Sequence, residues 1–225
     1  MARYGFHLLV MVALTTIAAS AIPLLLSRDH KDPLEYGLRD FLDKEHSIFA
    51  SLFILRGMAI TAGLYLFPLF VYFSIGNTVD AGTTRALANI GALFFTLMIG
   101  KITTKISSNK MVVFGTTTSA LFFFFRSLVK TPVQAFIVST LSGLFFMVYY
   151  IPLYSTLADY AEDEDIVEFY ALRETFLGIG KITITIIAAI LTYQHSIEYG
   201  IKTSFFITGV AVFIIPILTR KLELD

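Results

Sequence analysis

The chain has 225 residues, of which 56% are hydrophobic and 15% aromatic, and its 17 lysines and arginines balance 17 aspartates and glutamates. This composition excludes a water-soluble domain and indicates an integral membrane protein, with room for six or seven spans of roughly 20 residues each. The balanced charge argues against a nucleic-acid-binding protein, and the absence of cysteine excludes disulfides and thiolate chemistry.

Apolar runs follow one another along the whole chain, separated by charged or turn-forming stretches. They cover residues 5–26, 48–75, 81–100, 111–129, 133–155, 169–193 and 201–219. The runs mix large apolar residues with Gly, Ser and Thr and lack the period-2 alternation of a porin strand. We therefore predict an all-α membrane protein with seven transmembrane helices, numbered here as spans one to seven.

The first span has an alternative interpretation as a secretory signal, since Arg3 precedes an apolar core that ends in Ala19-Ser20-Ala21. The apolar run continues through residues 22–26, as in a spanning helix, and we favour the span. The charged stretch that follows, residues 28–47, places its leucines and Phe41 on one helical face. It predicts an amphipathic helix along the membrane surface, with an unstructured linker as the alternative.

Positive charge is distributed unequally between the two sides of the membrane. Nine lysines and arginines fall on one side and three on the other, the three being Arg3, Lys130 and Lys202. Because cytoplasmic loops retain positive charge during insertion, we predict that the amino terminus lies outside and the carboxyl terminus in the cytoplasm.

No pattern in the sequence predicts catalysis. The segment from Gly178 to Lys181 fails as a phosphate loop, because Thr175 and Ile182 stand where glycine and Ser or Thr are required. The four histidines show no metal-ligand spacing, and the acidic stretch 159–168 lacks the glycine of an EF-hand. We expect no enzyme activity, no catalytic residue, no metal site and no cofactor.

Two polar residues lie near the predicted membrane midplane. Counted from the predicted cytoplasmic ends of their spans, Lys181 lies about 15 Å deep and Asn89 at almost the same depth. A charge at that depth requires a partner, a wet cavity or a functional reason. We predict that both residues line one cavity; the alternatives are a helix–helix hydrogen bond for Asn89 and a snorkelling side chain for Lys181.

Tyrosines flank prolines in the second and fifth spans. Tyr65 lies near Pro68 and Tyr149 near Pro152, and proline in a spanning helix frees a backbone carbonyl and permits bending. We predict that Tyr65 and Tyr149 line the same cavity on two bending helices, with aromatic packing around the kinks as the alternative.

Charged residues near the cytoplasmic ends of the spans form a candidate gate. Arg56 in the second span could pair with Arg173 and Glu174 at the start of the sixth. For Arg56 we favour a snorkelling side chain, which can reach the cytoplasmic interface from eight residues into the span. For Arg173 and Glu174 the alternative is plain interfacial charge. Arg85 and Arg126, near the outer ends of their spans, require no special role.

The loop between the third and fourth spans, Gly100-Lys101-Ile102-Thr103-Thr104-Lys105-Ile106-Ser107-Ser108-Asn109-Lys110, resembles the signature loop of the major facilitator superfamily. Gly100, Lys105 and Lys110 keep the pattern, while Thr104 and Ser107 replace its aspartate and second glycine. By this resemblance the loop joins helices eight and nine of a twelve-helix transporter.

The resemblance implies a division of the chain into three parts. Residues 1–27 would be an isolated transmembrane helix equivalent to the sixth of twelve, residues 28–47 the cytoplasmic linker, and residues 48–225 the six-helix carboxyl-terminal half. Such a half is built from two inverted three-helix repeats. Arg85 with Asn89–Gly91 and Arg173 with Gly178–Gly180 are alike in the middle helix of each repeat.

In the family, the second and fifth spans would line the cavity, the third and sixth would flank it, and the fourth and seventh would face lipid. The resemblance implies a secondary-transporter component, of symporter type in a bacterial inner membrane, that moves a small solute by alternating access. Its partners would be the lipid bilayer, the solute, a coupling proton or sodium ion, and a missing amino-terminal half or a second copy. The alternative is a non-transporting interaction or sensing module that retains the fold.

Overall fold

The structure is a computed structural model that describes residues 11–12, 14–16, 18–19, 44–102, 107–162 and 166–219. The chain divides into two compact units, Met1–Glu35 and Tyr36–Asp225. In the first unit the described residues, all between 11 and 19, are helical. The rest of the predicted first span, and the predicted amphipathic helix up to residue 43, lie outside the described residues.

The described part of the second unit consists of six helices, and no strand occurs in it. They are α1, whose successive segments run from Lys44 to Ile75, α2 (Thr78–Ile102), α3 (Ser108–Leu128), α4 (Pro132–Glu162), α5 (Ile166–Gln194) and α6 (Ile197–Thr219). These helices correspond to predicted spans two to seven, so the all-α membrane fold is confirmed.

Five of the six helices are long and apolar enough to cross a membrane within the described residues. These spans are Ser47–Ile75, Ser108–Leu128, Pro132–Ala158, Phe169–Gln194 and Ile197–Thr219. The remaining helix, α2, has 25 residues and is about 37 Å long, which is sufficient to cross, but Arg85 and Asn89 lower its mean hydropathy.

Side-chain hydrogen bonds cap the start of α2. Asn77 Oδ1 accepts hydrogen bonds from the backbone N–H groups of Val79 and Asp80, and Asp80 Oδ2 accepts one from the N–H of Asn77. These reciprocal bonds satisfy donors at the start of α2 that have no partner inside the helix. The turn between α1 and α2 is therefore short and well defined.

Two π-helical segments, Ala62–Leu66 and Val71–Ile75, interrupt α1 on either side of the α-helical turn Phe67–Phe70. Pro68 lies between them and has no N–H to donate to the preceding turn. A π-helical turn accommodates the loss of a backbone hydrogen bond without ending the helix. The second span therefore departs from regular α-helix at the proline where the sequence predicts bending.

The bundle is apolar outside and contains small polar groups inside. Large apolar side chains such as Leu97 and Ile182 are exposed, while Thr116, Ser204 and Thr208 are buried. The three buried hydroxyls donate to backbone carbonyls of the preceding turn of their own helices. This distribution fits a protein solvated by lipid, in which interior polar groups must find partners within the protein.

Glycines set the distance between α1 and α5. A Cβ atom added at Gly57 would overlap the carbonyl oxygen of Leu177, and one added at Gly180 would overlap the carbonyl oxygen of Ile54. The two backbones are thus in direct contact, which small residues permit at helix interfaces in membranes.

The same arrangement recurs between α2 and α4. A Cβ atom at Gly91 would overlap the carbonyl oxygen of Thr140, and one at Gly143 would overlap the carbonyl oxygen of Ala88. At both crossings each glycine lies three positions after the residue whose carbonyl is approached from the other helix.

The two crossings relate one half of the bundle to the other. Gly57 and Gly143 are 86 residues apart, and Gly91 and Gly180 are 89 apart, so that α1 corresponds to α4 and α2 to α5. Each triplet, α1–α3 and α4–α6, contributes its first helix to one crossing and its second helix to the other. Corresponding members are three helices apart in chain order, and successive spanning helices alternate in direction, so the two triplets run in opposite directions. The two inverted three-helix repeats predicted from the sequence are therefore present, and the likeness of Asn89–Gly91 to Gly178–Gly180 falls in register with them.

Candidate solute-binding and gating residues

Lys181 and Asn89 lie beside the two glycine crossings. Lys181 directly follows Gly180 on α5, and Asn89 is two residues before Gly91 on α2. Because the crossings are equivalent in the two repeats, the two residues lie within one turn of equivalent positions on the second helix of each repeat. Asn89 is exposed and Lys181 is half-buried. Within the described residues Lys181 has no ion-pair partner.

Tyr65 lies on the outside of the first π-helical segment of α1 and is 61% exposed. No ring or hydrogen-bond contact joins it to Lys181 or Asn89 in the part of the chain that the structure describes. The Tyr65 hydroxyl is therefore free to form a hydrogen bond with a molecule bound at this surface of the bundle.

Tyr149 occupies a different environment from the other three predicted cavity residues. It is 1% exposed and packs edge-on against Phe146 at a ring distance of 5.4 Å. Its backbone also approaches α3 closely, since a Cβ at Gly115 would lie 2.7 Å from the Tyr149 nitrogen. The expectation that Tyr149 lines an open cavity is therefore corrected, because the α3–α4 contact turns this side of α4 into the bundle.

Arg56 is buried, so the snorkelling position favoured from the sequence is wrong. Its side chain is 1% exposed, and its Nε, Nη1 and Nη2 atoms make no hydrogen bond. The guanidinium carbon lies 4.7 Å from the ring centre of Tyr150 and 4.3 Å from that of Tyr154. These two rings of α4, which stack on each other at 4.4 Å, provide its cation–π partners.

Arg173 and Glu174 form a salt bridge with each other, with Nη2 and Oε1 separated by 2.7 Å. The Arg173 guanidinium carbon lies 4.5 Å from the Tyr170 ring centre and 5.3 Å from that of Tyr154. Tyr154 is thus shared by Arg56 of α1 and Arg173 of α5. The three helices meet through this aromatic ring, and no salt bridge joins Arg56 to Glu174.

Arg126 is a buried residue to which the sequence analysis assigned no role. It is 7% exposed, its Nη2 donates to Ser142 Oγ at 2.8 Å, and its guanidinium carbon lies 4.9 Å from the Phe67 ring centre and 4.7 Å from that of Phe123. A Cβ atom at Gly63 would lie 3.1 Å from Nη1. The guanidinium therefore fills the space beside the π-helical segment of α1 and ties α3 to α4.

A signal in the sequence points to the burial of Arg126. Thr116, Ser119, Phe123 and Arg126 share one face of α3 and are all buried. In a membrane helix a stripe of small polar residues marks the side that faces other helices. An arginine that continues this stripe is therefore placed inside the bundle.

The predicted signature-loop residues are only partly described. Gly100 lies in the last turns of α2, and Lys105 falls outside the described residues. Lys110, in the first turn of α3, is exposed and lines a surface cleft of about 540 Å³ together with residues that include Ser107 and Phe114.

A comparison with protein families agrees with this architecture. The model of the Major Facilitator Superfamily matches residues 6–223, nearly the whole chain. The chain belongs to the Major Facilitator Superfamily, a family of secondary transporters that is generally not enzymatic. No curated protein matches the chain.

Proposed function

We propose that the chain is the carboxyl-terminal half of a facilitator and moves a small solute by alternating access together with an amino-terminal half. That half would come from a second polypeptide, a longer parent chain or a second copy. The observation that supports the proposal is the pair of equivalent glycine crossings, beside which Asn89 and Lys181 lie on the second helix of each repeat. Solute sites of secondary transporters lie near the bilayer midplane, at the interface between repeats.

The proposed solute site consists of Lys181, Asn89 and Tyr65. Lys181 provides an ammonium group without a partner in the described residues, and a charge at membrane depth is retained for a functional reason. It would bind an anionic group of the solute or a carboxylate of the other half, while Asn89 and Tyr65 would supply hydrogen bonds. Tyr149 takes an indirect part by holding α4 against α3.

The proposed gate consists of Arg56, Arg173 and Glu174, joined through Tyr154. Contacts of Tyr154 with both cations hold α1, α4 and α5 together at the end where α1 begins. The excess of lysine and arginine on this side supports a cytoplasmic location for the gate. The membrane would be a bacterial inner membrane, as the family resemblance implies. Gly100, Lys105 and Lys110 of the signature loop would guide closure at the same end.

The solute site is tested by ligand-dependent stability. The purified chain is heated with a panel of sugars, amino acids, drugs and organic acids, and unfolding is followed by circular dichroism. We expect a stabilising solute to act on the wild type and on Lys130→Ala, an exposed lysine outside the site, but not on Lys181→Ala. Equal stabilisation of Lys181→Ala would remove Lys181 from the site.

Transport itself is tested in liposomes that contain the chain with its candidate amino-terminal half. Uptake of the stabilising solute, with and without a proton or sodium gradient, identifies the coupling ion. We expect uptake to fall at least tenfold in Lys181→Ala, as for the loss of a charged contact of about 1.4 kcal/mol or more. Unchanged uptake in this variant would contradict the site at Lys181 and favour the alternative, a membrane module that retains the fold without this solute site.

A further inference from the structure

Within the described ranges, Arg56 is a buried arginine without a counter-charge. All three guanidinium nitrogens lack hydrogen-bond partners, although the side chain is almost completely inside the bundle. Arg126, the other buried arginine in the described ranges, differs because it donates to Ser142. Buried donors without acceptors are unfavourable, and an unpaired charge within a membrane span is more so.

The surroundings of Arg56 add positive charge. Arg173 lies against the same ring of Tyr154, and the carboxylate of Glu174 is already paired with Arg173. In the described bundle, the guanidinium groups of Arg56 and Arg173 therefore lie near one carboxylate, that of Glu174, which leaves one positive charge in excess. The excess positive charge would be neutralised most directly by a further anion at Arg56.

The donors around this point are those of an oxyanion receptor. A guanidinium group presents five N–H donors in a planar fork that matches carboxylate and phosphate oxygens. In the described conformation the aromatic faces of Tyr150 and Tyr154 cover it. These faces attract the cation but accept none of its N–H groups in the geometry of a full hydrogen bond.

Tyr154 lies on a segment of α4 that is able to move. Pro152 lies inside the helix between the two tyrosines and has no N–H for the carbonyl of Val148. A proline break is where spanning helices bend. Bending at Pro152 displaces Tyr154 from Arg56 without disturbing the Gly143 crossing, which lies more than two turns earlier in α4.

We propose that Arg56 is the centre of an anion site that takes a small oxyanion, of carboxylate or phosphate chemistry, in exchange for the ring of Tyr154. The site is formed by Arg56, Tyr150 and Tyr154, none of which belongs to the proposed solute site of Lys181, Asn89 and Tyr65. Binding to it is measurable on the purified chain, whether or not the chain transports a solute.

The test compares two substitutions of Tyr154. Acetate or inorganic phosphate is titrated at constant ionic strength, with chloride as the balancing anion, and Tm is followed by circular dichroism. We expect a rise of about 3–6 °C in the wild type at ten times the dissociation constant. Tyr154→Ala removes a competing ring and should lower the half-saturating anion concentration about tenfold, while Tyr154→Phe keeps a ring and should stay near the wild type.

Two arginine substitutions give the matched control. Arg56→Gln should abolish the Tm rise, whereas Arg126→Gln, which removes a buried arginine that already has a partner, should retain it. A response to acetate alone assigns a carboxylate ligand, and a response to phosphate alone assigns a phosphate group. Absence of a response to either anion in Tyr154→Ala, or an equal response in Arg56→Gln, would overturn the proposal. If an arginine variant does not fold, the half-saturating anion concentrations of Tyr154→Ala and Tyr154→Phe still test the proposal.

Discussion

Gly57 and Gly180 meet at the crossing of α1 and α5, where each glycine lies against a backbone carbonyl of the opposite helix. Their counterparts Gly143 and Gly91 meet in the same way at the crossing of α4 and α2. The repeat can therefore be tested by substitution, because even the methyl group of alanine would not fit at any of these four glycines.

The first prediction concerns Gly180→Ala. The new methyl group would overlap the carbonyl oxygen of Ile54 and force α1 and α5 apart, so we expect a loss of about 1–3 kcal/mol in the free energy of unfolding. Denaturant titration in detergent measures the difference.

Gly178→Ala is the matched control, two residues away on the same helix. A Cβ atom there meets nothing within 4 Å, so alanine should stabilise α5 by about 0.5–1 kcal/mol through helix propensity. The two substitutions should thus change the free energy of unfolding in opposite directions. Destabilisation by both to the same extent would contradict close packing at Gly180.

The second prediction concerns the hydrogen bond between Arg126 and Ser142. Ser142→Ala removes the acceptor of a buried guanidinium N–H and should reduce the free energy of unfolding by about 1–3 kcal/mol. Ser119→Ala is the comparison, because Ser119 Oγ is buried without any hydrogen-bond partner. Its removal should be neutral or stabilising, and a larger loss for Ser119→Ala than for Ser142→Ala would refute the assignment.

The third prediction concerns the break in α1. Pro68→Ala restores a backbone donor between the two π-helical segments and should allow a regular α-helix to form. We expect slower amide hydrogen exchange from Ala62 to Ile75. Pro216→Ala in α6 should leave exchange in α1 unchanged. Equal exchange rates in wild type and Pro68→Ala would show that the proline does not maintain the break.

The sequence predicts the positions of the helices well because a spanning helix is recognised from the length and hydropathy of its own residues. Spans two to seven each recur as a helix, and the repeat likeness of Asn89–Gly91 to Gly178–Gly180 has the register of the glycine crossings. The side chains that face inward depend instead on partner helices. Composition alone contains no information about which helix lies opposite a given residue.

The two arginines and Tyr149 illustrate this limit. From the sequence alone, Arg56 is expected to reach the membrane interface, but Tyr150 and Tyr154 of α4 cover its guanidinium group. Arg126 is expected near the outer end of its span without a special role, but Ser142 of α4 provides its acceptor. Tyr149 is expected in a cavity because it is polar and lies deep in its span, whereas the approach of Gly115 encloses it. Each outcome follows from a contact between helices that are far apart in the sequence.

The most direct test of the account asks whether water reaches Lys181 within the membrane. The chain contains no cysteine, so Lys181→Cys, Asn89→Cys and Val210→Cys each provide a single thiol, the last on the exposed outer side of α6. The complete transporter in its membrane is treated with a water-soluble maleimide, which requires a hydrated thiolate. We expect that the thiols at 181 and 89 are labelled, that a transported solute slows their labelling, and that the thiol at 210 stays unlabelled. A thiol at 181 as unreactive as the one at 210 would contradict a wet cavity at this position and the transport site built on it.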